Sequence, residues 1–291
     1  MRLFLAVFLA SASVLSLSAR ADQNDFSIYK LGNPNTDPNA QARFRMLGDE
    51  LGVALSNTTL EPPGTLGADG FSFTFEYAFA FVNGGATVGG QPYWVTQSPD
   101  PSLLMLPALH FRKGLPYSIE FGGKVQTITN SGLFAGTFEG RWGIIEGFRY
   151  LPDLGVRFAM TRLFGQQDMD LTTGEISASL GKEFGVGGTV TLTPYAGYGV
   201  IGVDSSSRVL LANQDTETPQ QYAAQPAGGQ ILFQENTVGN NLYNRVYFGL
   251  RLRSNIVSIG VEYAYAWAQS GDNLPVNEAL QQISASAGLT F

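Results

Sequence analysis

Cysteine is absent from the 291 residues and histidine occurs once. Without cysteine no disulfide can staple the chain, so an exported protein of this size must draw its stability from a large core or from a closed barrel. With a single histidine and no thiol, a transition-metal site of nitrogen and sulfur ligands is not expected. Charge is scarce as well, at 14% of residues. Beyond the N-terminal stretch no apolar run is long enough for a membrane-crossing helix. No phosphate loop of the GxxxxGK type occurs, and the Gly-Gly pairs read as turns.

At the N-terminus Arg2 precedes the run LFLAVFLASASVLSLSA, which ends in the small-x-small triplet Ala19-Arg20-Ala21. The run is too short and too rich in Ser and Ala for an anchor, and it reads as a secretory signal over residues 1–21. Its removal leaves 15 basic against 24 acidic residues, a net charge of −9. Nucleic acid is therefore not an expected partner.

What is abundant is glycine, 35 residues, with 20 Phe and 12 Tyr. These occur in period-2 patterns, clearest in GFSFTFEYAFAFV, where Phe71, Phe73, Phe75, Tyr77, Phe79 and Phe81 alternate with Ser72, Thr74, Glu76, Ala78 and Ala80. An unbroken aromatic face suits lipid better than a core of mixed shapes, and in a bilayer a strand is tolerated only within a closed barrel. Similar segments recur at 103–113, 117–129, 136–148, 155–164, 172–183, 189–203, 242–253, 256–269 and 280–291. The expected fold is all-β: a transmembrane antiparallel up-and-down β-barrel of about ten strands over residues 69–291, preceded by a short helix. Links after the odd strands are long and would face outward. Those after the even strands are the tight GLP, YLPDL, VGG and Ser254-Asn255. An even strand count leaves both termini in the periplasm.

Parity assigns the faces. Val246, Phe248, Leu250 and Leu252 point outward, so Arg245, Tyr247, Arg251 and Arg253 point inward. The expected lumenal charges are Glu76, His110, Arg112, Glu120, Lys124, Glu139, Arg141, Arg157, Glu175, Glu183, Arg245, Arg251, Arg253 and Glu262. A three-residue loop at 114–116 would set His110 opposite Glu120. Eight strands enclose little beyond their own side chains and open channels take sixteen or more, so ten strands should leave at most a narrow passage, whose charges either satisfy one another or line a polar path. The lone His110 lies near the tight-turn end, so no Ser/His/Asp set can be placed. No catalytic, cofactor or metal site is expected, and the acidic Asp168-Met169-Asp170 reads as a solvated loop.

Residues 22–68 do not alternate. Asp37-Pro38 can open a helix, and Phe44, Leu47, Leu51 and Leu55 recur at helical spacing through QARFRMLGDELGVALS, with Gly48 and Gly52 on one side. This helix either packs under the barrel mouth in the periplasm or enters the lumen as a plug. In the long link 204–241, the stretches Val209-Leu210-Leu211 and Ile231-Leu232-Phe233 can pair as a hairpin.

Two resemblances accompany this reading. The last strand, with Ile283, Ala285, Ala287, Leu289 and the terminal Phe291 on one face, resembles the C-terminal signature of Gram-negative outer-membrane barrels. That implies recognition of Phe291 by the barrel-assembly machinery and residence in the outer membrane, with lipid as the other partner. The N-terminal piece, with PPGTLG leading into an aromatic strand, is similar to the hatch segment of long-chain fatty-acid transporter barrels, though the hatch element Asn-Pro-Ala is missing. The expected role is a narrow channel or transporter for small or hydrophobic solutes. The alternative is a structural or surface-binding barrel with a closed lumen, acting through its outer loops; neither solute nor surface partner can be read from the loops.

Overall fold

The computed structural model describes residues 24–56, 59–96, 101–211, 230–269 and 279–291; the stretch read as a signal sequence and the centre of the longest link lie outside them. Ten long strands form the wall: β1 (Phe71–Phe81), β2 (Leu103–Leu115), β3 (Ile119–Thr127), β4 (Phe134–Ile145), β5 (Asp153–Phe164), β6 (Met169–Gly181), β7 (Val190–Ser207), β8 (Leu242–Ser254), β9 (Val257–Ala268) and β10 (Leu280–Thr290). Each pairs antiparallel with its neighbours in sequence, and β10 pairs with β1 from Ser72↔Thr290 to Phe81↔Gln281, so the sheet closes and no edge remains. A three-residue piece, Phe184–Val186, folds back on the start of β7.

The alternation sorts every strand. Outward lie Phe75 (48% exposed), Phe138 (56%), Phe248 (55%) and Ile259 (56%), while Ser72, Thr74 and Glu76 between the β1 aromatics are buried. An apolar exterior, a polar interior and full closure are what hydrocarbon requires of a strand-built protein, because every backbone group is then paired within the wall. The chain is an outer-membrane β-barrel.

The links after the even strands, which include the two tightest turns, lie at one end of the barrel, the tight-turn end, and those after the odd strands, which include the three longest, lie at the other, the long-link end. Pro116, Tyr117 and Ser118 make the first tight link, with Tyr117 and Ser118 at φ 66° and 57°. This loop sits two residues later than the sequence pattern suggested, so β2 runs on to Leu115, and His110 faces Lys124 while Glu120 faces Gly114. The inward parity is kept; the pairing of His110 with Glu120 is not. In the long link after β7 the expected hairpin is present, with Leu210 opposite Ile231.

One helix, α1 (Ala40–Leu55), runs inside the wall. Gly48 and Gly52 lie so near β7 that an added Cβ would meet Ser205 Oγ at 2.6 Å and Val203 Cγ1 at 2.6 Å. Phe44 stacks on Phe233 with ring centroids 4.7 Å apart. Asp37 does not cap the helix: one carboxylate oxygen accepts the Asn39 N–H at 2.9 Å and the other pairs with Arg43. Arg43, buried, also donates to the Leu31 carbonyl and to Val88 O.

The path of this N-terminal segment departs from the expected one. Asn24 donates its backbone N–H to Asn130 O and Phe26 bridges Thr96, both in long links, so the described chain starts at the long-link end. It then descends through the lumen and enters β1 at the tight-turn end, where Phe71 meets Phe291. The two strand ends do lie at the same end of the barrel, but the first described residues do not, because the helix and the stretch after it cross the lumen rather than sit beneath it.

Candidate functional site

The lumen divides into two sectors. From β9 through β10 to β1 the inward side chains are mostly small or neutral, including Ala264, Ala266, Ser284, Ser286, Thr74 and Ala78. The charges come mainly from the remaining strands and are joined into two chains. One runs Lys124–Glu76–His110–Glu139–Arg157–Glu175–Arg245, with Lys124 Nζ 3.0 Å from Glu76, His110 at 2.7 Å from Glu76 and 3.0 Å from Glu139, and Arg157 at 2.8 Å from Glu139 and 3.4 Å from Glu175. The other runs Arg141–Glu120–Arg112–Glu61–Arg251, with Arg112 3.1 Å from Glu120 and 2.8 Å from Glu61.

His110 meets a carboxylate at each ring nitrogen. A neutral imidazole has one N–H, so the second contact needs a second proton, on the ring or on a glutamate. The ring is 1% exposed and fully committed. It has no free nitrogen with which to serve as a base toward an outside substrate.

Of the charges expected in the lumen, Glu76, His110, Arg112, Glu120, Lys124, Glu139, Arg141, Arg157, Glu175, Arg245 and Glu262 are buried there and Arg251 nearly so. Two are not. Arg253 turns to the rim and donates to Asn255 O at 3.1 Å in the tight turn, and Glu183 is exposed beyond the end of β6. Both lie at strand ends, where the wall no longer imposes an inward direction.

Sequence parity could not show what these charges hold. The segment after α1 is fixed to the wall almost residue by residue. Ser56 Oγ accepts from Arg245 at 2.8 Å, and the Thr59 and Leu60 N–H groups donate to Glu262 at 3.2 and 2.8 Å. Glu61 bridges Arg112 and Arg251, and the Pro62 carbonyl accepts from Arg141 at 2.6 Å. Leu66 N–H donates to Glu120. Glu61 and Ser56 were missed because they stand on no strand; the only trace of the first is an acid set directly before Pro62-Pro63. At the helix end, Gln126 and Gln282 donate to the Leu55 and Ala54 carbonyls at 2.6 and 3.4 Å, satisfying groups that a helix C-terminus leaves open.

Below the network, Glu146 anchors the segment at the tight-turn end. It accepts from Thr65 N–H at 2.9 Å and from the hydroxyls of Thr65 and Ser118. Burial pushes its carboxyl up, but those donors outweigh the burial and hold it below the ordinary carboxylate value. The described interior is thus filled: by α1 toward the long links, and by the tethered segment toward the tight turns. No cluster of three or more metal-ligating side chains occurs among the described residues.

No family model matches the chain, and no curated protein matches it. Among solved structures it is similar to Ail, the attachment invasion locus protein of Yersinia pestis, at 13% identity over 77% of this chain and 99% of that one, TM-score 0.26. It is similar also to Neisserial surface protein A, at 13% identity over 76% and 95%, TM-score 0.28. A third is the deltaS2S3 mutant of TodX, a monoaromatic hydrocarbon channel, at 7% identity over 81% and 94%, TM-score 0.34. Likenesses this distant carry no weight for the role; the outer-membrane barrel class rests on the chain's own closure and apolar exterior.

Proposed function

We propose that this barrel is a gated passage across the outer membrane for a small solute, closed by its own N-terminal segment. One observation carries the reading: the lumen is filled by a separate stretch of chain, threaded from one end to the other, rather than by wall side chains alone. A wall that only needed filling could do so with larger inward residues, whereas β9, β10 and β1 present mostly small or neutral ones. Displacing α1 would open space along that sector. The chain acts without catalysis in this reading, because its single histidine is enclosed by two carboxylates.

A second reading, a closed barrel acting through its outer loops, is favoured by the ion network, whose buried pairs resist separation. The two differ in whether α1 must move. The double substitution Gly48→Cys with Ser205→Cys removes Ser205 Oγ and puts two thiols where an added Gly48 Cβ would sit 3.0 Å from Ser205 Cβ, so a shift of the helix by about 0.5–1 Å brings them to the span of a disulfide. The chain has no other cysteine. In liposome-swelling assays the gated reading expects passage by the reduced protein and none by the oxidised form. Absence of passage in both forms would favour the closed barrel, and equal passage in both would sink the gate.

A further inference from the structure

Between α1 and the wall, toward the long links, lies a cavity of about 40 Å³, lined by Met46, Asp49 and Val53 of the helix and by Tyr243, Ala266 and Leu280 of β8 to β10. At roughly 10–15 Å³ for each enclosed water, it has room for a head group of a few heavy atoms.

Two carboxylates border it, and they differ. Glu50 is saturated: it accepts from the Tyr93 hydroxyl at 2.7 Å, from Trp94 Nε1 at 2.6 Å and from the Asn83 N–H at 2.7 Å. Asp49 is not. Its Oδ1 accepts from Asn236 Nδ2 at 2.8 Å and the Tyr243 hydroxyl stands by the same carboxylate, yet no donor is lined up on its Oδ2 although the residue is only 2% exposed. Arg45, the neighbouring cation on the helix, directs its Nε to Asn236 Oδ1 at 3.3 Å instead. Among the described residues Asp49 therefore forms no ion pair. A carboxylate oxygen held out of water without a donor is costly, and the cavity in front of it is where a donor could stand.

The chemistry of the lining narrows what that donor is. An inorganic cation such as calcium needs six or more oxygen ligands, and here one open oxygen faces mainly methyl, methylene and thioether groups, with the Tyr93 and Tyr243 side chains and the already committed Glu50 beside them. A ligand with one charged N–H group and a short apolar body satisfies both sides, with the rings of Tyr93 and Tyr243 beside it as surfaces that tolerate a cation. We propose that this cavity binds a small primary alkylammonium, its nitrogen donating to Asp49 Oδ2 and its carbon chain packed against Met46, Val53 and Ala266. The proposal goes beyond the passage reading and does not depend on it, since a ligand can bind here whether or not anything crosses.

The test is equilibrium binding to the full folded chain in detergent, by titration calorimetry with n-butylammonium, n-butyrate and 1-butanol as probes. Saturable binding of butylammonium alone is expected. Asp49→Asn should weaken it by roughly tenfold or more, the scale of a lost hydrogen bond to a charged group. Ala266→Phe, which fills the cavity and leaves the carboxylate intact, should abolish it, and this second variant keeps the proposal testable if Asp49→Asn does not fold. Glu183→Gln, remote from the cavity, should bind as the parent does. No saturable binding, equal binding of butanol, or unchanged affinity in the folded Asp49→Asn and Ala266→Phe variants would overturn the assignment.

Discussion

Phe71 and Phe291 close the wall at its seam: they exchange two backbone hydrogen bonds, at 3.0 and 2.8 Å, and their rings stack with centroids 4.8 Å apart. The backbone bonds survive a change of side chain, whereas the ring contact does not. Phe291→Ala should therefore cost the refolded protein only about 0.5–1.5 kcal/mol beyond the lost area, read as a small shift of the urea midpoint. If the terminal aromatic also serves assembly in the cell, the outer-membrane yield of the variant should fall far more than that shift explains. A yield that tracks the midpoint would leave the residue a seam contact alone.

Glu61 is the link between the threaded segment and the ion network, and its removal would leave Arg251 without its ion-pair partner and Arg112 with Glu120 alone. Breaking a buried pair by deleting one partner costs on the order of 3–5 kcal/mol, so Glu61→Leu should unfold at markedly lower urea. The same variant should pass solute faster than the parent in the swelling assay, if the segment is the gate. Stability equal to that of the parent would mean that the guanidinium groups find other partners and that the network does not hold the segment.

How much of this was legible in the sequence follows from what alternation can and cannot report. Period 2 names the strands and the inward set, so His110, Glu139 and Arg157 were readable as lumenal from their apolar neighbours alone. Register within a hairpin is set by where the turn sits, and Tyr117 and Ser118 adopt left-handed conformations that their side chains do not announce. That is why His110 was set against Glu120 instead of Lys124. The threaded segment was the least readable part: its helix shows in the spacing of Phe44, Leu47, Leu51 and Leu55, but its place inside the wall depends on partners far away in sequence, such as Val203 and Glu262.

Gly52 tests how closely α1 fits. A Cβ there would approach Val203 Cγ1 at 2.6 Å and Thr173 Cγ2 at 3.2 Å, whereas one at Gly174 would meet nothing within 4 Å. Gly52→Val should then cost about 1–3 kcal/mol by overpacking, and Gly174→Ala should be near neutral. Urea midpoints decide it: equal values for the two variants would mean that the helix moves aside freely.

Glu146 gives the tight-turn anchor a pH dependence whose sign is fixed. Its folded carboxyl lies below the ordinary value of 4.5, so the stability it contributes is fully present above that value and is lost as the pH falls through the folded value. Glu146→Gln should be less stable than the parent at pH 7, and the gap should narrow on acidification below the ordinary value. A gap that stays constant down to the acid limit would show that the hydrogen bonds to Thr65 and Ser118 do not favour the charged form.

The N-terminal path makes a topological prediction that a periplasmic N-terminus would contradict. Asn24 is tied to the β3–β4 link by its backbone N–H on Asn130 O at 2.9 Å and by its side-chain amide on Thr129 O at 2.6 Å, and Gln166 of the β5–β6 link donates to Phe26 O at 3.0 Å. In outer-membrane barrels the long links face outward and the tight turns face the periplasm. An epitope inserted after residue 22 should therefore be reached by antibody on intact cells. One inserted in the tight link between β4 and β5, beside the exposed Tyr150, should be reached only after the outer membrane is opened. Both epitopes appearing together, and only in opened cells, would mean that the segment does not cross the lumen in the assembled protein and cannot be its gate.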